Sequence, residues 1–406
     1  MRKNLRFGIN QPLVMASAVQ DVKLPIVMAA ATVSTTLDLS NQTSLTALPA
    51  IPSTIKTLIL TGCTGLPTTL TINAADLTTI TGIPDQVVDL NLSNCASLTT
   101  VPTLPSGLTS LNLYDCAALT TLPTLPSGLN VLVLFPNYKT GAILPPTLAR
   151  LDCSDCKLMT VLPTLPTPSA PGVTPVITGL TSLTLYNCSS LATLPTLPTS
   201  LVGLQLAGCT LLKTVDLSPC TAMSELESLP PAVTSLKLYP AYSNNYVIPS
   251  TVTNIDFSTC TSMTTLPTLP TGLISLKLFP KYSNTSIPAT IKNFDFSACT
   301  NLTTLDFTNR SVMTSFIPCP KLIELNLTGC KLLQTIQGMP TALTTLRIEG
   351  CTALTTLDLS RTAVSGINIP PTLLSTLKYF DIRSSPLAMS GVVSYNIPTG
   401  GQWFLY

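Results

Sequence analysis

Thirteen cysteines and a few carboxylates are the side chains with chemistry to offer, because the chain contains no histidine. That absence removes His-based triads, His general bases and His metal ligands together. Cys153 and Cys156 form one Cys-Ser-Asp-Cys step, with no second pair to complete a four-thiolate zinc site. Asp256 and Asp295 are candidates for paired carboxylate chemistry. A lysine-bearing repeat separates them, and an open surface neither excludes water nor raises a carboxyl pKa. The expectation is therefore a non-enzyme with no catalytic residue, no cofactor, no metal site and no small-molecule substrate.

The cysteines point elsewhere. Thirteen is odd, so they cannot all pair within the chain. Eleven of them (Cys63, Cys95, Cys116, Cys156, Cys188, Cys209, Cys220, Cys260, Cys299, Cys330 and Cys351) follow one local phrase, an apolar-x-apolar triplet, two residues, then Cys. Cys153 and Cys319 fall outside it. Recurrence at one position predicts buried thiols that act as small hydrophobes and folding in a reducing compartment, such as a virion interior or the host cytoplasm.

The phrase repeats every 21 residues, as in LNLSNCASLTTVPTLPSGLTSLNLYDC. Repeats settle the architecture before any single residue is interpreted. Marked by the first apolar residue of each triplet, turns begin at Leu37, Leu58, Leu90, Leu111, Leu132, Leu151, Leu183, Leu204, Leu236, Ile255, Leu276, Phe294, Leu325, Leu346 and Phe380. The steps between them are 21, 32, 21, 21, 19, 32, 21, 32, 19, 21, 18, 31, 21 and 34.

The LxxLxLxxC core resembles the leucine-rich repeat, which implies one short strand per turn in a parallel sheet. The LPxLP return between strands, as in LTTLPTLPSGL, excludes a helix and favours an extended, polyproline-like path. It resembles the repeats of bacterial type III secreted effectors. Three turns carry F/Y-P-x-Y instead, at Phe135 to Tyr138, Tyr239 to Tyr242 and Phe279 to Tyr282. The second and third run on into IPSTVTNIDF and IPATIKNFDF, which resemble FNIP-type repeats of amoebae and their giant viruses.

The expected fold is a β-rich leucine-rich repeat solenoid of about fifteen turns, with a concave parallel sheet and little helix. At ~4.8 Å per strand it makes a curved rod on the order of 70 Å long. The solenoid spans residues 37–383, residues 1–36 form an N-terminal arm or cap, and residues 384–406 form a C-terminal cap or docking tail. Each long step holds about eleven extra residues. Three of these insertions contain a second apolar phrase (Val215 to Leu217, Leu305 to Phe307, Leu357 to Leu359), expected as short extra strands on the convex side.

Only 9% of residues are charged, with a net charge of +2. So few cations cannot build the dense basic surface that phosphate neutralisation needs, so nucleic acid is not an expected partner. No apolar run reaches the roughly 18 residues of a membrane span. Arg2, Lys3 and Arg6 ahead of Ala16-Ser17-Ala18 look like a secretory leader, but the apolar patch is short and interrupted, so cleavage is not expected.

Three groups of residues are candidates for protein contact. The middle residue of each triplet points out of the sheet, and this column alternates in charge at Lys237, Asp256, Lys277 and Asp295. It is either a cross-strand ion-pair ladder or a charged recognition stripe. Just after the triplet stand Tyr114, Phe135, Tyr186, Tyr239 and Phe279, either shielding strand ends or forming an aromatic contact strip. The tail carries Trp403, Phe404 and Tyr406 after Gly400 and Gly401. Apolar side chains there need cover, from the last turn or from a neighbouring subunit. Two functions follow. The first is a rigid structural subunit of a large assembly (a capsid-associated or cement protein of a virion, a filament, or a surface layer). The second is a soluble recognition module or host-directed effector that binds a protein through its concave face.

Overall fold

An x-Leu-x step surrounded by prolines and polar residues can support only a short strand, out-in-out across a sheet. The chain forms such strands repeatedly, as in Ser110–Asn112 and Ser235–Lys237, each with a buried leucine between two partly exposed residues. The computed structural model describes residues 3–7, 13–15, 34–139, 142–170, 178–224, 226, 228–243, 246–282, 287, 289–389 and 401–405. Helix among them is confined to Pro371–Leu374 and Pro386–Met389. The fold is a parallel β-solenoid divided into two compact units, one of residues 1–212 and 225–232, the other of residues 213–224 and 233–406.

In the first unit, Thr36–Asp38, Thr57–Ile59 and Thr79–Thr81 form a parallel sheet. The hairpin of Lys3–Phe7 and Leu13–Met15 joins it antiparallel, with Phe7 opposite Leu37. A second parallel sheet contains Thr69–Thr71, Asp89–Asn91, Ser110–Asn112, Val131–Val133, Arg150–Asp152, Ser182–Thr184 and Gly203–Gln205. Its central residues Leu70, Leu90, Leu111, Leu132, Leu151, Leu183 and Leu204 stand in register.

The 32-residue step from Leu58 to Leu90 is thereby explained, and the convex-side reading of the long steps is corrected. Leu58 pairs with Ile80 while Leu70 pairs with Leu90. Leu70 lies about half of a 21-residue turn beyond Leu58 and both are buried, so they occupy opposite walls of one core. Eleven additional residues therefore complete half a turn, and the strand-forming phrase moves to the other wall.

The second unit repeats this device. Its first sheet (the third of the chain) contains Thr214–Asp216, Ser235–Lys237, Asn254–Asp256, Ser275–Lys277, Asn293–Asp295 and Ser315–Ile317. A fourth sheet contains Thr304–Asp306, Glu324–Asn326 and Thr345–Arg347. A fifth contains Thr335–Ile336, Thr356–Asp358, Tyr379–Asp381 and Gln402–Phe404. The phrases at Val215, Leu305 and Leu357 are thus full members of the main sheets. The outward column is also re-ordered, since Asp295 neighbours Ile317, Asn326 stands between Asp306 and Arg347, and Asp381 neighbours Asp358. Where the third and fourth sheets overlap, rings fill the space between walls. Phe307 lies 5.3 Å from Phe294 and 5.8 Å from Phe316. The long step from Leu151 to Leu183 differs from the others: its strands pair directly, so its extra residues belong to the return.

Leucine burial supplies the main driving force, at about 1.5–3 kcal/mol per fully buried side chain. Polar side chains then tie each turn to the one before. A threonine just ahead of the strand donates to a carbonyl one turn back: Thr109 Oγ1 to Val88 O (3.1 Å), Thr181 Oγ1 to Ala149 O (3.1 Å), Thr253 Oγ1 to Thr234 O (3.2 Å) and Thr355 Oγ1 to Gln334 O (3.2 Å). After the strand a cysteine does the same: Cys95 Sγ to Ile72 O (3.2 Å), Cys116 Sγ to Leu92 O (3.1 Å), Cys209 Sγ to Leu185 O (3.0 Å) and Cys351 Sγ to Leu327 O (3.2 Å). The recurrent cysteines and the threonines just ahead of the strands are accounted for by these two rows.

Candidate protein-binding surfaces

All thirteen cysteines are buried. Burial pushes the Cys116, Cys156, Cys260 and Cys330 thiols up to about 12, away from the thiolate that nucleophilic or metal chemistry requires. The Cys188 thiol is also pushed up, by its hydrogen bond with Cys209 and by burial. Cys153 is fully buried, and its carbonyl receives the Cys188 S–H at 3.1 Å. Among the described residues no three Cys, Asp or Glu side chains come together as a metal ligand set.

The outward column has a local purpose that sequence reasoning missed. An Asp or Asn there accepts the backbone N–H two residues on: Asn91 from Ser93 (2.9 Å), Asp152 from Ser154 (2.8 Å), Asp256 from Ser258 (2.7 Å), Asp295 from Ser297 (2.8 Å) and Asn326 from Thr328 (3.1 Å). These side chains close the turn that leaves the strand. The signal was legible as Asp/Asn-x-Ser/Thr. Burial opposes ionisation of Asp295, but the Ser297 hydroxyl and N–H, with Lys277, hold its carboxyl below the usual range.

Of the expected charge ladder, Lys277 Nζ meets Asp295 Oδ2 at 3.1 Å, whereas Lys237 Nζ turns to Asp216 Oδ2 at 4.0 Å. Asp256 stands between them without an ion pair among the described residues. Half-exposed pairs of this kind are worth about 0–1 kcal/mol. Together these residues line a trough of about 460 Å³ on the third sheet.

The aromatic strip divides. Tyr114 and Tyr186 are 41% and 43% exposed, but Phe135, Tyr239 and Phe279 are completely buried, which corrects the expectation of a shared edge. The physical reason lies in the F/Y-P-x-Y turn. In the ordinary turn the Cys116 N–H bonds the Leu113 carbonyl, whereas the Tyr138 N–H bonds the Phe135 carbonyl, one residue later. The first aromatic turns inward and packs edge-to-face on the second, with ring centroids 5.7–5.9 Å apart in all three turns. Tyr114 reaches across the Phe135 turn, and its hydroxyl donates to Asp155 Oδ2 at 3.4 Å.

At the tail, Gln402–Phe404 lies parallel to Tyr379–Asp381, placing Trp403 beside Phe380 with ring centroids 6.1 Å apart. Asp381 is buried and bound by Arg383, whose guanidinium sits 4.2 Å above the Phe404 ring. The Arg383 hydrogen bonds hold the Asp381 carboxyl below the usual range. Tyr406, Gly400 and most of the N-terminal arm (residues 8–12 and 16–33) lie outside the described residues. No helix of the described residues is long and apolar enough to cross a membrane.

The repeat, the in-register parallel strands and the apolar ladder inside them define a leucine-rich repeat solenoid. No protein-family model and no curated protein matches the sequence. Solved structures of similar fold include a leucine-rich repeat protein from Bacteroides ovatus, at 15% identity, covering 93% of this chain and 89% of that one with a TM-score of 0.28. YopM from Yersinia enterocolitica matches at 20% identity over 87% of this chain and 78% of its own (TM-score 0.24). The circular leucine-rich repeat protein CroV588 matches at 14% identity over 82% of this chain and 66% of its own (TM-score 0.30).

Proposed function

We propose that the chain is a non-enzymatic structural protein, a rigid leucine-rich repeat subunit that makes protein–protein contacts in a larger assembly such as a virion, a filament or a surface layer. The observation that carries this reading is the double tie between turns. Thr hydroxyls ahead of the strands and Cys thiols behind them bond carbonyls of the preceding turn, so the chain's recurrent polar side chains serve stiffness. Low charge and buried thiols fit the same role. In this reading residues 1–36 and 384–406 cover the two ends, since a solenoid contacts only neighbouring turns and its ends need caps. Trp403 and Phe404, half-buried on the last strand, retain surface for a neighbouring subunit.

The second reading is a soluble recognition module, favoured by the trough on the third sheet. The native mass of the particle that contains the chain discriminates between them. Sedimentation of the protein from its source in a large, stoichiometric particle is the expected outcome. Recovery as a monomer with one tight protein ligand overturns the assembly reading. Deleting residues 402–406 is expected to weaken incorporation into the particle more than it lowers the melting temperature of the isolated chain.

A further inference from the structure

The trough on the third sheet crosses six strands, and its charges have a period of two strands. Asp216, Lys237, Asp256, Lys277 and Asp295 stand in register on successive strands. Neighbouring strands are ~4.8 Å apart, so the three carboxylates recur every ~9.6 Å along the trough. Lys237 turns to Asp216 and Lys277 to Asp295, which leaves Asp256 as the uncompensated charge at the centre. Ser235, Asn254 and Ser275 run alongside as a row of small, uncharged hydrogen-bonding groups that permit close approach.

Few backbone conformations match that period. A β-strand presents same-side residues every ~6.6 Å and falls out of step within two residues. An α-helix returns a side chain to one face after a ~5.4 Å turn or ~10.8 Å for two turns, and neither keeps step with ~9.6 Å over three contacts. The polyproline-II helix has three residues per turn and a ~3.1 Å rise, so every third side chain returns to the same face after ~9.3 Å. We propose that the trough binds a polyproline-II segment of a partner protein that carries lysine or arginine at every third residue, with the central basic side chain on Asp256. The five inter-strand steps span ~24 Å, room for about eight such residues and all three contacts. The chain's own LPxLP returns, such as Leu122-Pro123-Thr124-Leu125-Pro126, carry no lysine or arginine, so a second copy does not supply the ligand. The inference rests on the chain being a protein-binding solenoid, but not on the size of any assembly.

Its test is fluorescence anisotropy of the full chain with labelled acetyl-(Arg-Pro-Pro)3-amide. A second probe has the same composition with arginine at every other residue, acetyl-(Arg-Pro)3-(Pro)3-amide. Saturable binding of the first probe is expected, at least tenfold tighter than binding of the second. Asp256→Asn keeps an acceptor for the Ser258 N–H and should weaken binding tenfold or more, whereas Asp85→Lys, an exposed acid of the first unit, should leave it unchanged. Equal affinity for the two probes, an unaltered affinity in Asp256→Asn, or no saturable binding overturns the proposal. Recovery of the chain in a large particle despite any of those results leaves the assembly reading standing.

Discussion

The turn after Ser110–Asn112 and the turn after Val131–Val133 close the same solenoid with different chemistry. In the first, the Asn112 amide accepts the Tyr114 N–H at 2.9 Å, Tyr114 stays outside, and Cys116 goes in. In the second, Val133 makes no such bond, Phe135 goes in, and Tyr138 takes the inner position of the cysteine. In this pair the turn type decides which side chain after the strand is shown to solvent. An Asp or Asn at the outward position closes many of the cysteine turns, though Ile59, Thr184, Gln205 and Arg347 precede cysteine turns without one, and the three aromatic turns follow Val133, Lys237 and Lys277. The second unit alternates the two kinds: Asp216, Asp256 and Asp295 precede cysteine turns, and Lys237 and Lys277 precede aromatic turns. The three carboxylates of the trough thus also close the turns that follow them, Asp216 accepting from Ser218, Asp256 from Ser258 and Asp295 from Ser297.

The hardest blow to this contrast is Phe135→Ala against Tyr114→Ala, the same column in two kinds of turn. Phe135→Ala is expected to cost about 3–5 kcal/mol through loss of a buried ring, read from urea unfolding. A cost below about 1 kcal/mol breaks the distinction. Thiol chemistry sharpens it next. With its pKa pushed from 9.0 up to about 12, Cys116 should hold about a thousandfold less thiolate at pH 8 than an ordinary thiol. The native chain should react with a thiol reagent at few positions and the denatured chain at close to all thirteen. Because the unfolded thiols ionise first, stability should fall as pH rises above about 9. Rapid labelling of the native ladder, or several disulfides, overturns the buried-thiol account.

Cys116→Ala should cost about 1–2 kcal/mol through lost packing, and Cys116→Asp more through desolvation. Thr109→Val, which removes the hydroxyl bond to the Val88 carbonyl, should cost about 0.5–1 kcal/mol. Smallest of all, Tyr114→Ala should stay within about 0.5 kcal/mol, as surface changes do. A larger loss would show that the Tyr114–Asp155 contact braces the neighbouring aromatic turn.

The 21-residue period, the strand centres at Leu111 or Leu236 and the inward cysteines were legible in the sequence, because each depends on apolar spacing alone. The walls were not. A leucine on one wall has the same neighbours in sequence as a leucine on the other, and only hydrogen-bonded partners distinguish Leu70 from Leu58. The run Leu58, Leu70, Ile80, Leu90, with steps of 12, 10 and 10, held the clue, since half-period spacing means both walls are in use. Phe135, Tyr239 and Phe279 were misplaced because counting from the strand start puts them level with Tyr114. The proline after each, with a tyrosine three residues on, marks a turn that closes one residue later.

The half-turn also gives this sequence something like a reading frame. Adding 21 residues to such a chain lengthens it and leaves every later side chain facing as before. The extra residues between Leu151 and Leu183, which stay in the return, also leave the frame unchanged. Adding 11 that carry a strand-forming phrase inverts the frame, so that what had been presented on one wall is afterwards presented on the other. Two such additions cancel. In the second unit Phe316 of the third sheet and Ile336 of the fifth are 20 residues apart, so the insertion that opened the fourth sheet is reversed by the one that closed it. A lineage that gains and loses half-repeats can thus exchange the surface it shows to the world without altering one residue of its core.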